Sequence, residues 1–182
     1  MKLFSLLSSI VVMASASVQA DDLGYKLDTT IINNEGIKIG VANFQQGTTG
    51  TIIRIDVAGL IPGKHGMHFH TVGSCQDDTK FATAQGHIMT HNKPHGYLHK
   101  DGPHEGNLPN IIVHDNGTAH VELYSEMVSI LPGRKVTALS DEDGSALIIH
   151  TNEDDYKTQP IGKSGGRVAC AVIPAYKKDE YN

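Results

Sequence analysis

Apolar and polar residues alternate along most of the chain with the period of two that marks β-strands. The clearest case is "TIIRIDVAGL" (51–60), in which Ile53, Ile55 and Val57 share one parity while Arg54 and Asp56 take the other. Successive side chains on a strand point to opposite faces, so this segment offers one face to a core and one to solvent. Seven other stretches have strand character: 25–32, 37–44, 66–72, 110–115, 118–124, 145–150 and 166–173. Short turn-forming runs separate several of them, such as "NNEG" at 33–36, "QQGTTG" at 45–50 and "DNG" at 115–117. Eight short strands joined by such turns predict an all-β fold, an antiparallel sandwich or barrel. Helical periodicity is scarce. Trp is absent, which argues against an antibody-type core built around a buried Trp.

Two long irregular stretches interrupt the strands, at about 73–109 and 151–165. Loops of this length inside a compact domain are usually functional or disordered. The first contains His87, His91, His95, His99 and His104, which favours function. Four of these are spaced by four, but Gly86, Pro94, Gly96, Gly102 and Pro103 argue against a helix. The stretch reads as a loop folded around something, although a histidine-rich tract can also be a metal-scavenging segment.

The first 20 residues have a different character. One lysine precedes an apolar run from Leu3 to Met13, and Val18 and Ala20 stand at the −3 and −1 positions of a cleavage site. This is the pattern of a secretory signal peptide (1–20), leaving one domain at 21–182. The rival reading, a membrane anchor, needs a longer apolar run to span about 30 Å of hydrocarbon. No other stretch suits membrane insertion. Removal of Lys2 with the leader takes the formal charge from −5 to −6. That balance excludes a general nucleic-acid binder, which needs a basic face for phosphates. The only cysteines are Cys75 and Cys170, and an even pair in an exported protein suggests a disulfide.

The densest chemistry lies in "HGMHFH" (65–70). On a strand His68 and His70 point the same way, with Met67 and Phe69 turned to the other side. Two neutral imidazoles aimed at one point form half of a site for copper, zinc, iron or nickel. His65 has the opposite parity to His68 and stays outside the pair.

Several ordered motifs together resemble the copper–zinc superoxide dismutases, particularly their bacterial exported form, over about residues 36–173. They are "HGMHFH", "GH" at 86–87, "PHGY" at 94–97, "GPHEGNLPN" at 102–110, "IIHTNEDD" at 148–155 and "GGRVACAVI" at 165–173. The resemblance implies an eight-stranded antiparallel Greek-key sandwich or barrel with two long functional loops. It implies copper held by His68, His70, His87 and His150, with His87 bridging to zinc. The zinc ligands it implies are His87, His95, His104 and residue 107. It further implies Asp154 as a carboxylate linking a copper histidine to a zinc histidine, Arg167 as the anion handle, and a Cys75–Cys170 disulfide. Superoxide would be the small-molecule substrate, the periplasm the location, and either a monomer or a homodimer the assembly.

One position departs from the family pattern. The zinc loop of the family has aspartate three residues after its last zinc histidine, and this chain has Asn107. A neutral amide is a weaker zinc ligand than a carboxylate, and structural zinc sites are usually four-coordinate. Three outcomes stay open: loosened zinc, a substitute ligand such as Glu105, His91 or His99, or copper alone. His91, His99, His114 and His120 otherwise read as solvent-facing. Lys157 and Lys163, in the second long loop, are expected to add to a positive field around Arg167.

Overall fold

The computed structural model describes residues 23–177. The signal peptide read at 1–20 falls outside the described residues. All eight stretches with strand character contain strands, and eleven strands occur among the described residues: β1 (Lys26–Asn33), β2 (Lys38–Gln46), β3 (Thr51–Ala58), β4 (Gly63–His65), β5 (Met67–His70), β6 (Ile111–Val113), β7 (Thr118–Ser125), β8 (Val128–Ser129), β9 (Thr137–Ala138), β10 (Ser145–His150) and β11 (Arg167–Ile173). Seven form one antiparallel sheet in the order β5-β10-β11-β1-β2-β3-β7. β4 pairs with β6, and β6 lies beside β7, so the sheet curls back on itself.

The strand count departs from eight for two reasons. An extra strand, β4, forms just before the stretch at 66–72, with Gly66 between the two, and β4 pairs to β6 while β5 pairs to β10. A Cβ at Gly66 would come within 2.8 Å of the Ser164 Cβ, so the backbone there makes way for the second long loop. β8 and β9, a parallel pair of two residues each, are too short to leave a periodic signal.

The alternation in β3 is realised: Ile53, Ile55 and Val57 are buried, while Asp56 is exposed. They join Phe44, Met67, Phe69, Ile111, Leu147 and Ile149 in the main core. β5 and β10 are different, because every residue in them is buried. Met67 and Phe69 face the core, and long loops cover the opposite face, which carries His68 and His70. In β10, Leu147 and Ile149 join the main core, while Ala146 and Ile148 pack with Phe81, Ala84 and Cys170 under the first long loop. Strands buried on both faces thus carry the expected metal-facing side chains.

Cys75 and Cys170 form a disulfide, with Cα atoms 5.7 Å apart and a sequence separation of 95. It ties the start of the first long loop to β11. Closing so long a loop removes unfolded-state entropy equivalent to at most about 4–5 kcal/mol. Replacing both cysteines by serine is expected to lower the urea-unfolding free energy by a large part of that amount. A change below about 1 kcal/mol would mean that packing under the loop, and not the crosslink, holds it.

Candidate metal centre

The first long loop is stitched along the open edge of β5. The Ile88 N–H donates to the Phe69 carbonyl at 2.9 Å, the Phe69 N–H to the Gly106 carbonyl at 2.9 Å, and the Thr71 N–H to the Gly86 carbonyl at 3.0 Å. His87 bridges to His70 and Asn107 to His68, both in antiparallel fashion. These bonds satisfy backbone groups that an edge strand would otherwise expose. They also lay the loop histidines beside the strand histidines.

His68, His70, His87 and His150, from β5, the loop and the end of β10, form one buried cluster, with one nitrogen from each within 4.8 Å of the others. The His68 and His87 rings stack at 4.0 Å, and His70 and His150 at 5.6 Å. His87, His95 and His104 form a second buried group that shares His87 with the first. The rings expected to hold two neighbouring ions therefore stand side by side. His65 stays outside, its ring nitrogens facing the His150 carbonyl at 2.8 Å and the Ile61 carbonyl at 2.7 Å.

Hydrogen-bond partners set the tautomers. Carbonyl and carboxylate oxygens only accept, so a ring nitrogen facing one carries the proton. His68 Nε2 donates to Asp154 Oδ2 at 2.8 Å, His70 Nδ1 to the Gln85 carbonyl at 2.8 Å, and His150 Nδ1 to the Gly165 carbonyl at 3.2 Å. Each leaves a bare lone pair on its other nitrogen. Those atoms (His68 Nδ1, His70 Nε2 and His150 Nε2), together with His87 Nε2, are buried and make no hydrogen bond. Buried polar atoms normally find a partner. Four unpartnered nitrogens within coordination reach of one another fit a copper ion, which imidazole suits in both oxidation states.

Asp154 is the link between the two groups. Its Oδ2 accepts from His68 and its Oδ1 from His95 Nε2 at 2.9 Å. Burial pushes this carboxyl up, but the bonds from His68, His95 and the Tyr156 N–H outweigh burial and hold it well below the usual carboxylate range. Burial also pushes the imidazoles down, His70 to about 2, His150 to about 3 and His104 to about 4, with His68 and His87 shifted the same way. All remain neutral near pH 7, as ligands must.

Arg167 opens β11 and is half-buried. Its guanidinium donates to the Gln85 carbonyl at 2.5 Å and to the Phe81 carbonyl, which fixes the fork at the wall of a cleft. That cleft, of about 830 Å³, is also lined by His70, His87 and His150. Lys157 and Lys163 do not line it; Lys163 Nζ instead sits 3.4 Å from Asp155 Oδ2. Lys80, in the disulfide-bonded loop, lines it in their place.

The residues offered as substitute zinc ligands stay away from the second group. His91 Nδ1 pairs with Glu105 Oε1 at 2.5 Å, and the Asp101 N–H donates to His99 Nδ1 at 3.2 Å. His114 is exposed, and exposed His120 pairs with Asp56. Other contributors were invisible in the sequence because they act through backbone or through small size. Gln85, at φ 62°, directs one carbonyl to both His70 and Arg167. Asn110 clamps the Asp154 backbone by accepting from its N–H and donating to its carbonyl, both at 2.9 Å. Gly162 lies so close that a Cβ would meet Asp154 Oδ1 at 1.7 Å, and its φ of 61° also favours glycine.

The chain is similar to known proteins in sequence and fold. The copper/zinc superoxide dismutase family model matches residues 38–173. A copper–zinc superoxide dismutase of Aquifex aeolicus, its second, is 38% identical over 94% of this chain and 98% of its own length. The copper–zinc superoxide dismutase of Caulobacter vibrioides is 40% identical over 76% of this chain and 80% of its own. Among solved structures, a superoxide dismutase-like protein from Bacillus subtilis superposes with a TM-score of 0.76 at 35% identity, covering 80% of this chain and 97% of that one.

Two outcomes follow from these bonds. Asp154→Asn keeps the shape but can accept from only one of the two rings. Copper affinity should fall roughly 10–100-fold, the usual cost of losing an orienting partner, as measured by competition with a chelator. An unchanged affinity would mean that packing alone orients His68. The metal-free protein should also lose stability as pH falls from about 6.5 towards 4. The unfolded chain takes up protons on these histidines near pH 6.5, while the folded one keeps them neutral, with pKa values of about 2 to 4. Each such group contributes up to about 1.4 kcal/mol per pH unit. Urea unfolding at pH 7.5 and 5 checks the sign.

Proposed function

The chain belongs to the copper/zinc superoxide dismutase family, and on that premise we propose that it removes superoxide at a copper ion held by His68 Nδ1, His70 Nε2, His87 Nε2 and His150 Nε2. As an oxidoreductase acting on superoxide, it turns two superoxide ions and two protons into oxygen and hydrogen peroxide. The observation that carries the ligand assignment is the set of four buried, unpartnered nitrogens opening onto one cleft beside Arg167.

Bound at these four nitrogens, copper would supply a Cu(II)/Cu(I) couple able to accept and return one electron. The surrounding residues bind, orient and move protons. Arg167 carries a permanent charge and a rigid set of donors. Two of these are used by the Phe81 and Gln85 carbonyls, so the remaining donors are presented to an anion in a fixed plane. His87 is the histidine common to both groups, and its Nε2 is the atom that holds and releases a proton during turnover. Its Nδ1, 3.2 Å from His104 Nε2, keeps the ring oriented toward the first group. Asp154 keeps His68 in the tautomer that offers Nδ1. Lys80, lining the cleft with no carboxylate bonded to it among the described residues, raises the local anion concentration.

The family implies both copper and zinc. Copper fits the first group. At the second group three imidazoles are present, but Asn107 turns its amide nitrogen inward, so the fourth position does not fit zinc. Export from the cytosol, with residues 1–20 as signal peptide and the periplasm as destination, is supported by the disulfide, which persists in oxidising compartments. No helix among the described residues is long and apolar enough to cross a membrane.

The copper-loaded protein is expected to remove superoxide catalytically. Copper bound at one per chain without turnover would make it a copper carrier instead. Lys80→Gln should lower kcat/KM several-fold at low salt and flatten its dependence on ionic strength, with copper content unchanged. Lys163→Gln should do neither, and an equal effect from both would mean that net charge alone attracts the substrate.

A further inference from the structure

Asn107 is buried and ends the turn that carries His104. Its Oδ1 accepts from the Gly96 N–H at 3.1 Å and from the His104 N–H at 3.2 Å. These two backbone donors decide which end of the amide is oxygen. Turned round, the NH₂ would face two N–H groups and leave both unpaired in the interior, at a cost of roughly 1–3 kcal/mol each. The nitrogen therefore points the other way, 3.1 Å from His95 Nδ1. His95 is fixed in the complementary tautomer, because its Nε2 donates to Asp154 Oδ1 at 2.9 Å and leaves Nδ1 as a bare acceptor. The amide N–H and the imidazole lone pair meet as donor and acceptor.

The place where a fourth ligand would approach a metal is thus filled by a donor, and donors do not ligate cations. A carboxylate of the same shape would accept from the same two N–H groups with one oxygen and present the other, charged, to the ion. The same small network orients the remaining rings. The His104 backbone is held by Asn107 Oδ1, and His104 Nε2 lies 3.2 Å from His87 Nδ1. One proton lies between His87 Nδ1 and His104 Nε2, so the bond holds the His87 ring with its Nε2 toward the first group, while His104 Nδ1 stays buried without a hydrogen-bond partner. No carboxylate or other cysteine, aspartate or glutamate among the described residues joins His87, His95 and His104.

We infer that Asn107 does in this chain what a second metal does elsewhere: its amide holds His95 and His104, and through His104 the ring of His87. The protein then keeps one ion tightly, at the first group, and binds zinc weakly and without consequence for the first site. This rests on the dismutase reading above, but it is read out separately.

The test is zinc binding to the copper-loaded full chain by equilibrium dialysis against a chelator, for the natural chain, Asn107→Asp and Asn107→Leu. Asn107→Asp should raise zinc affinity by about a hundredfold or more, more than the loss of an indirect partner costs. Adding Zn(II) to the natural chain should leave its melting temperature and the electron paramagnetic resonance spectrum of its copper unchanged. Asn107→Leu, which fills the space but makes no hydrogen bond, should alter that spectrum, because His87 loses its orienting chain. Zinc held by the natural chain as tightly as by Asn107→Asp would overturn the inference. So would a copper spectrum in the natural chain that reaches its final form only after zinc is added, or one that Asn107→Leu leaves untouched. Failure of the dismutase reading shows differently, as absence of turnover in every variant whatever its zinc affinity.

Discussion

The site depends on one buried carboxylate having two oxygens. Asp154 is fully enclosed, and it accepts one N–H from each of two histidines that belong to different groups. An enclosed charge is costly unless its lone pairs are satisfied. Here the Tyr156 N–H adds a third donor at 2.7 Å, and Asn110 fixes the backbone that carries the carboxylate. What the carboxylate provides is direction. By taking the Nε2 protons of His68 and His95 it leaves both Nδ1 lone pairs bare, one facing the unpartnered nitrogens of the first group and the other facing Asn107. A change in this one residue would therefore be felt in both groups.

The fold supplies what the carboxylate needs, namely convergence and dryness. Two of the rings sit on one short strand, a third at the end of the neighbouring strand, and the rest on a loop bonded to the open edge of the first. Strands buried on both faces are unusual in an antiparallel sheet, where one face commonly meets water. The reason lies in the loops. The first covers the histidine-bearing face, and the disulfide to β11 anchors its start. The second brings in Asp154 and approaches so closely that Gly66 and Gly162 have no room for a side chain. The loops thus form the roof of the site, and the sheet holds its floor rigid.

The parts of this arrangement that were legible in the sequence are those that side-chain type and period encode. Alternation marked β3, and the parity of "HGMHFH" separated His68 and His70 from Met67, Phe69 and His65. The loop histidines were legible as residues with a purpose, and the family resemblance sorted His95 and His104 from His91 and His99. What stayed hidden acts through backbone atoms or through absence. The Gln85 carbonyl serves both His70 and Arg167, a role unrelated to its side chain. Gly162 matters because it lacks a Cβ. Asn107 was visible as a departure, but its consequence depends on which end of the amide points inward. That is set by two N–H groups, of Gly96 and His104, whose positions no sequence pattern reveals. Lys157 and Lys163 lie in the loop that carries Asp154, yet neither lines the cleft. Charge at a cleft depends on direction and pairing, and Lys163 is directed to Asp155.

Pairing also explains how an acidic protein can attract an anion. The formal charge of −5 opposes superoxide at long range. At physiological ionic strength, charges more than about 8 Å away are largely screened, so the approach is decided near the cleft. Elsewhere on the surface four cations are matched with carboxylates, Arg54 with Glu122, Lys64 with Glu153, Lys100 with Asp101 and Lys163 with Asp155, while others such as Lys38 and Lys93 form no such pair among the described residues. The two cations that line the cleft are likewise free of carboxylate partners among the described residues. Arg167 is held by carbonyl oxygens, which fix its geometry without cancelling its charge, and Lys80 has no carboxylate bonded to it among the described residues. Within the site the same logic repeats, since neutral imidazoles and one carboxylate leave most of the local charge to the metal. A carboxylate at position 107 would add a second negative charge beside His95, together with the zinc ion it would draw in. The amide found there orients the rings without bringing in either charge.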